Sequence, residues 1–240
     1  MSKKEVENIV WSMLIIVAIL SGFVILSSSA QLFLPLNKAI IFIDVLFIFI
    51  SFFAARPIKR KVAGEIDKSN IIIFSISIIY SLIIISNFII SNFEDKSFRN
   101  YSTALSSLNF YTLILSTCFL TPIMEELLFR GVIFGRLRKC NINFPISMLI
   151  SSTVFSILHG TITHFVPTFI LGMFFCALYE YTGTLIYGML AHAAYNFSTL
   201  FLSRFLVIDS ILIVIFSFTL IIFVFILIFC KKAVYKSYSL

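Results

Sequence analysis

The sequence predicts an all-α fold: a polytopic bundle of about eight transmembrane helices with both termini in the cytoplasm. Three observations predict it. The 240 residues are 60% hydrophobic and only 12% charged. The apolar residues fall in long runs, where a soluble domain would show short periodic patches. The basic residues gather at the ends of those runs. At ~20 residues per crossing, the chain accommodates seven or eight spans and leaves no room for a soluble domain.

The first apolar run, Ile9 to Leu26, follows Lys3 and Lys4 and ends in Ser27-Ser28-Ser29-Ala30. It is longer than the ~7 to 15 residues of a signal-peptide core, so a retained helix is expected. Ala39 to Ala55 forms the second span, and its lone Asp44 is read as a solvated or hydrogen-bonded acid near a span end. Arg56 to Asn70 is a basic loop with Pro57 as the helix stop, and Asn70 to Ile90 is the third span. A loop of mixed charge runs from Ser91 to Thr103.

The fourth span extends from Ala104 to about Gly135. At ~1.5 Å per residue this is ~48 Å, too long for a straight perpendicular crossing. A break is expected at Thr121-Pro122, because proline has no N–H for the preceding turn, and the Thr121 hydroxyl is placed to cap the restarted helix. Spans five to eight follow at Phe144 to His159, Phe165 to Tyr179, Thr184 to Leu202 and Ile208 to Cys230. Residues 1–104 then carry three N-terminal helices, 105–205 a core, and 206–240 the last helix with a basic tail.

With the amino terminus inside, thirteen basic residues lie in inside loops and four (Lys38, Lys96, Arg99 and Arg204) outside, which sets the orientation. The net charge of +7 is spread over span ends and makes no nucleic-acid stripe. Cys118, Cys140, Cys176 and Cys230 are scattered without a C-x-x-C pair and read as core thiols. The lipid bilayer is the expected partner.

The chemistry concentrates at Thr121 to Gly131, where Glu125, Glu126 and Arg130 interrupt an apolar run. Charges at such depth cost at least a few kcal/mol, which marks them as functional by default. Glu126 and Arg130 stand four apart and share a helix face, while Glu125 is turned away by ~100° and stays freer. Phe155 and His159, and His192 and Asn196, are two more pairs at the same spacing. Counted at ~1.5 Å per residue from the cytoplasmic ends, Glu125 lies ~15 Å deep, His159 ~22 Å, His192 ~12 Å and Asn196 ~18 Å. With ordinary tilt the four can meet near mid-membrane. A carboxylate, two imidazoles and an amide at one depth supply a base for water, a proton carrier and oxyanion donors, a set suited to amide hydrolysis. His164 reads as a loop histidine, Tyr179, Thr182 and Gly183 as a structural turn, and the H-E-x-x-H zinc signature is absent.

Glu125-Glu126-x-x-x-Arg130, Phe155-x-x-x-His159 and His192-x-x-x-Asn196, in that order, resemble the three motifs of the CAAX protease and bacteriocin-processing (CPBP) family of intramembrane proteases, which includes the type II CAAX prenyl endopeptidases and bacterial self-immunity proteins. The resemblance covers roughly residues 110 to 205. It implies an intramembrane endopeptidase in which Glu125 activates water together with His159, His192 and Asn196 stabilise the oxyanion, and Glu126 and Arg130 shape the site. Metal use is left open: Glu125, His159 and His192 could bind zinc and leave a position for water, or could bind water alone. The abundance of Ile, Phe, Lys, Asn and Ser points to an A+T-rich genome and so to a bacterial plasma membrane. The expected substrate is a membrane-associated peptide or protein, such as a bacteriocin or signalling-peptide precursor, or a target in self-immunity. The rival readings are a transporter or channel using the intramembrane acids, and a catalytically silent scaffold.

Overall fold

A computed structural model describes residues 3–58, 68–93, 95–202, 215 and 217, and every regular element among them is helical. In chain order these are α1 (Lys3–Phe33), α2 (Leu36–Ala54), α3 (Lys68–Asn92), α4 (Lys96–Ser106), α5 (Phe110–Lys139), α6 (Phe144–Leu158), α7 (Ile162–Thr182) and α8 (Ile186–Leu202). Five stretches are long and apolar enough to cross a membrane: Glu5–Phe33, Leu36–Ala54, Ser75–Asn92, Phe110–Lys139 and Ile162–Thr182. The chain is therefore a multi-pass helical membrane protein. The eighth expected span, Ile208 to Cys230, lies outside the described residues but for Ile215 and Ser217, as do most of the basic loop after Arg56 and the basic tail.

Helix α5 is the axis of the bundle. On one side α1, α2 and α6 pack against it through Ile43, Phe47, Leu128, Val132, Ile133 and Phe155, with Phe23 of α1 edge-on to Phe47 at 5.0 Å. A second core joins α3, α7 and α8 through Ile78, Leu82, Ile85, Phe174, Phe175 and Tyr195. Large apolar side chains such as Trp11, Phe49, Phe53 and Leu190 face outward, as lipid contact requires.

Small residues set the closest approach. Ser147, Ser151, Ser152 and Ser156 are buried along α6, and Gly172 of α7 lies so close that a Cβ there would stand 3.1 Å from the Ser152 Cα. Such close contact is what drives association where the surrounding solvent is itself apolar. At the end of α5, Arg136 donates to the Ala54 carbonyl at 2.7 Å, and Arg138 forks onto Glu180 at 2.7 and 3.0 Å. Charges assigned to topology by the sequence thus also tie α5 to α2 and α7.

Two expectations are corrected here. The Ser91 to Thr103 loop is largely helix: Asp95 caps α4 by accepting from the Ser97 and Phe98 amides at 2.9 and 3.1 Å. The fourth span accordingly starts at Phe110, behind an Asn109 cap, and not at Ala104. Nor does the chain break at Thr121-Pro122. It passes through as a widened, π-helical turn over Ser116–Leu120, in which the Thr121 amide reaches the Ser116 carbonyl. A second π-helical stretch covers Glu126–Phe134. Such turns are rare and frequent at functional sites.

Candidate active site

Pro122 has no N–H to return one turn back, and the Thr121 amide is committed to Ser116, so the Thr117 carbonyl lacks a helical donor. Asn196 of α8 supplies it, Nδ2 donating to that carbonyl at 2.9 Å. The Thr121 hydroxyl does not cap a helix. It donates to Asp44 Oδ2 of α2 at 3.1 Å, beside a 2.6 Å bond from Ser116 Oγ to the same oxygen. Asp44 is buried in the middle of α2, not near a span end.

One turn further on, the two glutamates part. Glu126 is fully buried and accepts from Arg130 NH1 at 2.9 Å, whereas the Glu125 side chain keeps 15% of its exposure. The Arg130 guanidinium is sealed in. Its NH2 donates to the Gly172 carbonyl at 3.3 Å, and its carbon stands 4.5 Å from the Phe155 ring centroid and 5.0 Å from that of Phe175. Aromatic faces favour a cation that water cannot reach.

His192 of α8 joins the carboxylates. Its Nδ1 lies 3.1 Å from Glu126 Oε1 and its Nε2 lies 3.5 Å from Glu125 Oε2. Phe175 stacks on this imidazole at 5.0 Å, and Phe155 meets it edge-on at 5.9 Å. Gly188, one turn before His192, leaves room for the whole arrangement: a Cβ there would stand 2.9 Å from Glu126 Oε2.

His159 ends α6, and Gly160 after it takes φ +69°, a left-handed turn that suits glycine. His159 Nδ1 stands 2.8 Å from the Phe155 carbonyl. A carbonyl only accepts, so Nδ1 carries a proton, and in the neutral ring Nε2 is left with its lone pair. His159 meets the other motifs through Phe155, whose ring lies 4.6 Å away. Among the described residues no direct hydrogen bond joins His159 or Asn196 to Glu125. Glu125, Glu126, Arg130 and His192 are in contact, while His159 and Asn196 flank them.

The suggested ligand set does not fit a metal as arranged. Both His192 nitrogens face carboxylate oxygens, and among the described residues no three His, Cys, Asp or Glu side chains form a group able to hold an ion.

Asp44 was read as a solvated or hydrogen-bonded acid and is hydrogen-bonded, whereas Thr117, Phe175 and Gly188 escaped the sequence reading. Gly188 carried a usable signal, its spacing of four before His192. Phe175 is one of 29 phenylalanines and carried none. His164, read as a loop residue, sits in the first turn of α7 with its ring 5.0 Å from Phe98 and 5.8 Å from Tyr101 of α4.

Residues 107–198 match the family described as type II CAAX prenyl endopeptidase Rce1-like. Over 84 residues the chain is 34% identical to the Bacillus subtilis (strain 168) protein named "Putative membrane peptidase YdiL", covering 35% of this chain and 34% of that protein. The chain thus matches about a third of the length of that curated relative. No solved structure matches. The matched segment contains Glu125, Glu126, Arg130, His159, His192 and Asn196 in the arrangement just described, and it is this part of the chain that is similar to the type II CAAX prenyl endopeptidase Rce1-like family.

Proposed function

We propose that this protein is an intramembrane endopeptidase that hydrolyses a peptide bond in a membrane-associated peptide or protein, with Glu125 as the base. The observation that carries the reading is His192 seated between the two glutamates, 3.1 Å from Glu126 and 3.5 Å from Glu125. Arg130 compensates Glu126, so one proton shared between Glu125 and His192 leaves the buried group neutral. Such a proton can be moved at little electrostatic cost.

In the proposed reaction, water attacks the peptide carbonyl as Glu125 takes its proton. His159 Nε2, with its lone pair free, is the second acceptor for that water. The oxyanion is met by the second N–H of the Asn196 amide, whose first is committed to Thr117. The proton then passes to the amide nitrogen, the C–N bond breaks, and a carboxylic acid and an amine leave. By resemblance, His192 would stabilise the oxyanion. Its engagement at both nitrogens favours a different role, orienting Glu125 and carrying the proton. No step is routed through a metal, because the donor set does not fit one.

The test uses wild-type and Glu125→Gln protein in detergent with a quenched-fluorescent panel of membrane peptides, some prenylated at a C-terminal cysteine, with and without chelator. Cleavage by wild type, reduced at least about a hundredfold in Glu125→Gln and unchanged by chelator, is expected. Equal rates in the two proteins would remove Glu125 as base. Loss with chelator and recovery with zinc would replace the metal-free chemistry.

A further inference from the structure

Asp44 is a buried carboxylate, 4% exposed, on a helix that contributes nothing to the three motifs. Its Oδ2 takes two hydroxyl bonds, 2.6 Å from Ser116 and 3.1 Å from Thr121, and those hydroxyls are 3.3 Å from each other. The two donors are the first residue of the widened turn and the residue just after it, joined also through the backbone by the Thr121 amide on the Ser116 carbonyl. Thr117, whose carbonyl anchors Asn196, lies inside that turn, and Glu125 lies one turn beyond Thr121.

Burying a carboxylate in apolar surroundings costs several kcal/mol unless partners repay it. Nothing about packing α2 on α5 calls for a charged group, since Ile43 and Phe47 on the same face already pack there. What a carboxylate adds is one oxygen able to grip two hydroxyls at once. It thereby fixes the length of a turn that proline would otherwise leave loose.

We propose that Asp44 is a positioning residue for the hydrolysis. It clamps Ser116 to Thr121 in the π-helical turn, which presents the Thr117 carbonyl to Asn196 and sets Glu125 against His192. The proposal rests on the reading of Glu125 as base. Without the clamp the turn reverts toward ordinary helical winding and carries Glu125 and the Asn196 anchor out of register. A displacement of about 1 Å in a reacting group can cost about a hundredfold in rate.

Asp44→Ala and Asp44→Asn are compared with wild type on any peptide that wild type cleaves. Asp44→Ala is expected to lower kcat about a hundredfold with KM within about threefold. Asp44→Asn keeps a carbonyl oxygen for both hydroxyls, and is expected within about tenfold of wild type with an unshifted pH profile. In an Asn196→Ala background, Asp44→Ala should cost at least about tenfold less than it does alone, because the two act through one turn. Hydrogen exchange reads the turn without any substrate: Asp44→Ala should speed exchange over Ser116 to Glu125 and leave Phe144 to Leu158 unchanged. Unchanged exchange in the turn overturns the clamp even if no peptide is ever cleaved. Unchanged kcat, or an Asp44→Asn defect as deep as that of Asp44→Ala, overturns the positioning role even if the turn loosens. Cleavage by wild type that is unaffected by Glu125→Gln overturns the underlying assignment while leaving the exchange result intact.

Discussion

Asn196 on α8 donates its side-chain amide to the backbone carbonyl of Thr117 on α5, at 2.9 Å. The bond exists because Pro122, downstream of Thr117, has no N–H to offer. A motif residue is therefore held in place by the proline that precedes the glutamates, and the first and third motifs are mechanically one unit.

Removing either half of that unit should be felt, and removing both less so. Asn196→Ala leaves a half-buried carbonyl without that donor and is expected to cost about 1 kcal/mol of stability in detergent. Pro122→Ala returns an N–H to the helix and lets it close on itself. The double variant should therefore lose less than the sum of the singles by about 1 kcal/mol or more. Additive unfolding midpoints across the four proteins would show that Pro122 does not create the need for Asn196.

Gly188 sets the space for Glu126. A methyl there would stand 2.9 Å from Oε2, an oxygen without a hydrogen-bond partner among the described residues. Glu126 cannot retreat without leaving Arg130 and His192, its contacts through Oε1. Gly188→Ala is expected to lower cleavage by at least about tenfold and to destabilise by about 1–3 kcal/mol, as overpacking does in a tight core. Wild-type rates in Gly188→Ala would mean that α8 yields at no cost.

How much of this was legible depends on what kind of force fixes each feature. Spans and motif spacing are local, so hydropathy located most helices, and four-residue periods singled out Glu126 with Arg130, Phe155 with His159 and His192 with Asn196. The helix α4 was missed because Lys96 to Ser106 is polar on average. Its signal was a capping aspartate followed by Phe98, Tyr101 and Leu105 at helical spacing. The passage at Thr121-Pro122 was read as a break because a missing donor is all that a proline announces. Whether the chain breaks or widens is decided by Asp44 and Asn196, which are remote in sequence. Phe175 was illegible because stacking on His192 is a purely tertiary property.

Arg130 is sealed between Phe155 and Phe175 and holds both Glu126 and the Gly172 carbonyl. Lysine keeps the charge but not the planar fork. Arg130→Lys is expected to fold with a lowered midpoint and to cleave about ten- to a hundredfold more slowly. Arg130→Leu leaves Glu126 buried and uncompensated, at about 3–5 kcal/mol. Adding Glu126→Gln removes that charge, so the double variant should unfold at a higher temperature than Arg130→Leu alone. No recovery in thermal denaturation would show that the loss arises from packing, not from charge.

Asp95 links α4 to the first turn of α7. Its Oδ1 accepts from the Ser97 and Phe98 amides, and its Oδ2 accepts from the Thr163 amide at 3.2 Å and hydroxyl at 3.1 Å. The Thr163 amide foremost, with the α4 amides, holds the carboxyl below its ordinary 3.8. A carboxyl depressed in the fold contributes stability that is complete above the unfolded value and fades as pH falls through the folded one. Asparagine has one acceptor oxygen and turns a donor toward the other partner, so Asp95→Asn can keep only one of the two caps. Wild type should therefore lose protection of Lys96 to Ser106 only below about pH 4, whereas Asp95→Asn should show the loss at every pH. Hydrogen exchange from pH 3 to 7 makes the comparison. A variant whose α4 exchanges at wild-type rates near neutrality would show that Asp95 does not hold α4 to α7.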